Sequence, residues 1–60
     1  MADNIHIGEK VYVQAGRFSG STGVVVELDE DNMALIEFDV PRYGARSEWI
    51  QLDYLARLHS

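Results

Sequence analysis

The 60-residue chain has no cysteine, a single proline, only five cations and no long apolar run. Without cysteine there is neither a disulfide framework nor a cysteine-ligated zinc site to stabilise a small chain. That composition fits a reducing, cytoplasmic setting. No apolar stretch approaches the ~20 residues needed to span a bilayer, so no membrane partner is expected. Met1-Ala2-Asp3-Asn4 has no basic character and no apolar segment behind it, so no signal peptide is expected either. Five Lys and Arg against ten Asp and Glu give a formal net charge of −5. A general nucleic-acid coat carries the opposite balance, because its cations displace counterions from phosphate. Sixty residues make one small domain of modest stability. A monomer of that size has little room for an enclosed pocket of ~300 Å³, so catalysis would require an oligomer.

What is present is a β pattern. Met1 to His6 is expected to be a flexible lead-in, with Ile5 and Ile7 available to add an edge strand or pack across one end, and residues 7–60 form the domain. Alternation predicts a first strand over Lys10–Gln14, with Val11 and Val13 inward and Lys10 and Tyr12 outward. Ala15–Ser21 is a loop punctuated by glycines and tipped by Arg17 and Phe18. The β-branched run Thr22–Leu28 is a second strand, and its three consecutive valines suggest a bulge or a face covered on both sides. Asp29-Glu30-Asp31-Asn32 is a hairpin of turn-formers. A third strand over Met33–Phe38 sets Ala34, Ile36 and Phe38 on one face. The loop Val40–Ala45 follows, with Pro41 ending the ladder. A fourth strand over Arg46–Gln51 points Ile50 inward and Trp49 outward. Leu52–Leu55 is a tight turn, and Ala56–Leu58 a short closing strand. The expectation is an all-β fold, a small five-stranded barrel built as a meander.

In an up-and-down meander, alternate loops share an end. The loops Ala15–Ser21 and Val40–Ala45 therefore bring together Arg17, Phe18, Arg42, Tyr43 and Arg46, three of the five cations. Asp29, Glu30, Asp31 and Asp53 fall at the other end. The barrel should be electrically polarised.

The residues Ile7-Gly8, Val11, Val13, Gly16, Phe18, Gly20, Gly23, the run Val24–Leu28 and Asp29 resemble the KOW motif. That motif belongs to small SH3-like barrels of transcription elongation factors and ribosomal proteins. Tyr43-Gly44 and Ile50-Gln51-Leu52-Asp53-Tyr54 further resemble the C-terminal KOW domain of NusG-type factors, so the likeness runs from about Ile7 to Leu58. It implies a stand-alone, SH3-like KOW barrel that binds protein or RNA through loop residues. Two features depart from the family: the chain shows no separate N-terminal domain of the NusG type, and it is acidic where ribosomal members are basic. A second resemblance joins Ile7-Gly8-Glu9-Lys10-Val11 and Leu55-Ala56-Arg57-Leu58 to the plasmid-encoded dihydrofolate reductases, which are pore-forming SH3-like tetramers. Their Val-Gln-Ile-Tyr pore segment is answered only by Ile50-Gln51-Leu52-Asp53, with Asp53 in place of the tyrosine.

The candidate partner-binding residues are Arg17, Phe18, Arg42, Tyr43, Arg46 and Trp49. Arginine, tyrosine and tryptophan are the types enriched at binding hot spots, and guanidinium and aromatic groups together suit phosphate and base stacking. The ordinary alternatives are that Trp49 covers the barrel beside Ile5 or Ile7 and that Phe18 tucks over its end. No catalytic residue, metal ligand set or cofactor is expected. His6 and His59 are read as exposed, and the acidic hairpin lacks the spacing of a calcium loop. The serines have no histidine at a catalytic spacing, and the glycines do not form a phosphate loop. The reading is a non-catalytic interaction module, with a protein partner first and RNA second. Self-association through Trp49 is compatible with the sequence.

Overall fold

A computed structural model describes residues 5–58. Among these residues five strands follow one another: β1 (Lys10–Val13), β2 (Thr22–Asp29), β3 (Met33–Arg42), β4 (Ala45–Gln51) and β5 (Leu55–Arg57). A single 3-10 turn, η1 (Leu52–Tyr54), joins β4 to β5. The strands form one antiparallel sheet in the order β4-β3-β2-β1-β5. Curled on itself, it gives the small all-β, SH3-like barrel expected of the meander.

The period-2 pattern decides the interior. Val11 and Val13 of β1, Val25 of β2, and Ala34, Ile36 and Phe38 of β3 point into one core with Ile50 and Leu55. Ile5 joins them, so of the expected lead-in Ile5 is packed, His6 and Ile7 are exposed, and residues 1–4 lie outside the described residues. His59 lies outside them as well. The valine run carries a bulge: Val25 pairs with Ile36 but Glu27 with Leu35, leaving Val26 over. The bulge returns the pleat to register and leaves Val26 at the surface.

Pro41 does not end the third strand, as the sequence suggested. β3 continues to Arg42 and β4 begins at Ala45, so the expected loop shrinks to Tyr43-Gly44. The reason is local. The β3–β4 register shifts between Glu37 and Arg42, so Pro41 lies where no regular ladder needs its missing N–H. Both turn residues have positive φ, 51° at Tyr43 and 77° at Gly44, as a two-residue hairpin of the I′ kind requires.

Candidate functional site

The β3–β4 turn stands beside the β1–β2 loop, as the meander predicts for alternate loops. Phe18 lies half-buried against the core, its ring stacked on Phe38 with centroids 5.2 Å apart. Its edge meets Tyr43 at 5.6 Å. Tyr43 is exposed at the tip, and the Arg17 and Arg42 guanidiniums lie over its ring at 4.9 and 5.6 Å. Each such contact is worth about 0.5–1 kcal/mol at an exposed site. Arg42 also donates a 2.6 Å hydrogen bond to the hydroxyl of Ser21, a buried polar side chain. The structure thus brings Arg17, Phe18, Arg42 and Tyr43 together.

Arg46 and Trp49 stand apart on β4. Arg46 is exposed, and among the described residues no ion pair, side-chain hydrogen bond or ring contact ties it to the cluster. Trp49 is 40 % exposed on the outer face. It also lines an open groove of about 260 Å³, together with Arg17, Phe18 and Tyr54.

Electrostatics separates the cations into two groups. Lys10 pairs with Asp39 at 2.9 Å, and Arg57 with Glu9 at 2.7 Å. Asp39 is held below its ordinary carboxylate value first by the Thr22 hydroxyl (2.7 Å) and then by Lys10. Glu9 is held low first by the backbone N–H of His6 (2.8 Å), with Arg57 adding to it. Among the described residues Arg17, Arg42 and Arg46 have no carboxylate partner. The positive charge left uncompensated is therefore that of the loop end and the start of β4. The acidic hairpin Asp29–Asn32 sits next to η1, since Leu52 N–H donates to the Asn32 carbonyl at 2.9 Å. No cluster of three or more metal-ligating side chains occurs among the described residues, and none of their helices is long and apolar enough to cross a membrane.

The KOW motif model matches residues 7–39, more than half of the chain. The chain belongs to the KOW family. No curated protein matches it. Among solved structures, this KOW domain is similar to a chain of the crystal structure titled MjSpt4:Spt5 complex, conformation B, with a TM-score of 0.81 over 97% of its length. The two are 19% identical, and the domain spans 40% of that chain. At that identity the likeness establishes the fold.

Sequence reasoning left Ser21 and Tyr54 out of the site. Ser21 reads as an ordinary loop residue, and only the folded chain puts its hydroxyl under Arg42. Tyr54 had a faint signal in Gly16: a Cβ there would stand 3.0 Å from the Tyr54 ring, so the loop needs glycine to lie against it.

Proposed function

We propose that this KOW domain is a non-catalytic interaction module whose Arg17–Phe18–Arg42–Tyr43 end docks an acidic surface of a protein partner, with Trp49 and Arg46 extending the contact along β4. One observation carries the reading. A bulky aromatic residue occupies the left-handed region at an exposed turn, φ 51° at Tyr43, beneath two guanidiniums that have no carboxylate partner among the described residues. Non-glycine residues at positive φ are uncommon and concentrate where function holds them. Exposed aromatic and arginine side chains on a rigid hairpin are also the components of a binding hot spot. The net charge of −5 places protein ahead of nucleic acid as the primary partner. The motif's occurrence in elongation factors and ribosomal proteins suggests that the partner belongs to the machinery of transcription or translation. The similar chain comes from a structure titled as a protein complex, which agrees with a role in assembly.

RNA is the second reading, favoured by the same stack of guanidinium on aromatic ring, which offers a phosphate contact beside a base-stacking face. Two experiments separate them. The tagged chain is used to capture partners, identified by mass spectrometry, alongside Arg17→Glu and Tyr43→Asn. Asparagine tolerates the turn geometry, so the second variant keeps the fold. Specific partners lost from both variants support the protein reading, and equal capture by all three proteins rejects the site. An amide NMR titration with a mixed-sequence RNA oligonucleotide, at low and moderate salt, tests the alternative. Shifts at Arg17, Phe18, Arg42 and Tyr43 that fade with salt transfer the site to RNA.

A further inference from the structure

The open groove of about 260 Å³ is lined by aromatic side chains from three parts of the chain. Phe18 comes from the β1–β2 loop, Trp49 from β4 and Tyr54 from η1, with Met33 of β3 beside them. The chain has ten acidic residues and five cations. Among the described residues that line the groove none is acidic, and Arg17 is the one cation. Its guanidinium is placed by the Phe18 and Tyr43 rings, at 5.6 and 4.9 Å, and no carboxylate among the described residues pairs with it.

The polar groups left over in this groove are mainly donors. Among the described residues, the Trp49 indole N–H, the Tyr54 hydroxyl and the Gln51 amide take part in no side-chain hydrogen bond. Indole and guanidinium can only donate. Two of the lining residues have main-chain carbonyls already engaged. Val13 accepts from the Gly20 N–H at 2.8 Å, and Tyr54 from the Gln14 N–H at 2.7 Å. A fitting occupant is therefore apolar along one side, rich in acceptors, poor in donors and negatively charged at one end. We propose that the groove takes a proline-rich, acidic segment of a partner protein in the polyproline II conformation. Proline has no N–H, so its carbonyls bring no donor that the groove would leave unpaired. The polyproline II helix makes no internal hydrogen bonds, so those carbonyls remain free to accept. Its rings pack on aromatic walls at small ordering cost, because the helix is preformed. A carboxylate of the segment then meets Arg17. An RNA strand fits less well, since it brings a charge with every nucleotide to a groove with one cation. The inference rests on the protein-partner reading above and adds to it the kind of segment recognised.

A capped oligoproline ending in glutamates, titrated into the full chain, tests this by amide NMR and by the fluorescence of Trp49, the single tryptophan. The expected result is a saturable change in Trp49 emission with amide shifts at Arg17, Trp49, Gln51 and Tyr54. Replacing the prolines by glycines keeps the charge and removes the preformed helix, and should weaken binding by roughly tenfold. Trp49→Ala, with circular dichroism as a check on folding, should weaken it by roughly tenfold or more. Arg17→Glu should reverse the charge preference, so that the same oligoproline ending in lysines binds more tightly than the glutamate peptide. A silent titration at millimolar peptide overturns the proposal. So does an affinity indifferent to the glycines, to Trp49→Ala or to Arg17→Glu. Shifts at Trp49 and Tyr54 produced by a mixed-sequence RNA oligonucleotide, and not by the peptide, overturn it in favour of nucleic acid. Partner capture by the Tyr43→Asn variant reads the β3–β4 turn and the peptide titration reads the groove, so the failure of either reading is recognised apart from the other.

Discussion

Gly23→Ala tests the packing argument most directly. Gly23 lies in β2 with ordinary φ, so its role is not conformational; it is one of close approach. It pairs with Val11 on one side and Phe38 on the other, between the two strands that carry most of the core. A Cβ there would overlap the Glu37 carbonyl oxygen and come within 2.8 Å of Ile36 Cγ2. Neither neighbour can yield cheaply. Ile36 is fully buried, and Glu37 belongs to the β2–β3 ladder opposite Val24. Relief requires the strands to part, and overpacking of that sort costs about 1–3 kcal/mol. Alanine also restricts the unfolded chain, returning about 0.4–1 kcal/mol. The net loss is about 1–2 kcal/mol, which lowers the Tm of a domain this size by roughly 5–15 °C. Thermal unfolding followed by circular dichroism measures it, with amide exchange at Val24 and Glu37 as a local reporter. Gly20→Ala is the control. Its φ is +95° with nothing within 4 Å of the added carbon, so it pays only the backbone cost of about 1–2 kcal/mol and leaves those two amides protected. A Gly23→Ala variant within about 2 °C of wild type would refute the argument from close approach.

Two other outcomes follow from named contacts. Arg42→Ala leaves the Ser21 hydroxyl buried without its donor and should cost about 1–3 kcal/mol in urea unfolding. Adding Ser21→Ala should recover part of that loss, and strict additivity in the double-mutant cycle would show that the pair is not coupled. Glu9 and Asp39 both titrate below their ordinary values of 4.5 and 3.8. A depressed carboxylate stabilises the fold above its unfolded pKa, and that stabilisation is lost as pH falls through the folded one. Asp39→Asn should therefore lower the Tm at neutral pH, with the gap to wild type closing from about pH 5 downward. A gap that is constant with pH would rule out ionisation as its source.

The parts of the fold legible in the sequence are those governed by period. Val11 and Val13, and Ala34, Ile36 and Phe38, alternate through two strands with no competing pattern, and they fill the core. The triple valine pointed to a bulge or to a strand covered on both faces, because a strand cannot bury three residues running on one face, and the pairing settles it as a bulge at Val26. The β3–β4 connection was not legible. Pro41 is a ladder breaker only where a ladder exists, and the register shift after Glu37 that removes it belongs to the pairing of two strands. Tyrosine is likewise no turn-former, so propensity pointed to a loop where there is a two-residue hairpin. The candidate site divides in the same way. Meander topology sufficed to place Arg17, Phe18, Arg42 and Tyr43 near one another, since alternate loops share an end. It could not say which cations are neutralised, because Lys10 finds Asp39 29 residues away.

That division bears on function. A small barrel has little stability to spare, yet this one holds Tyr43 in a conformation that costs a non-glycine residue about 1–2 kcal/mol. Asparagine or glycine would make the same turn without that cost. Stability alone therefore gives no reason for a tyrosine at the tip. The ring's intrachain contacts, an edge on Phe18 and two guanidiniums, hold it in place but leave most of its face in solvent. Their combined worth is comparable to the strain. What the tyrosine adds over asparagine is thus a rigid, exposed aromatic surface flanked by positive charge. The hairpin beneath it, shortened by the extension of β3 past Pro41, fixes the direction in which that surface faces.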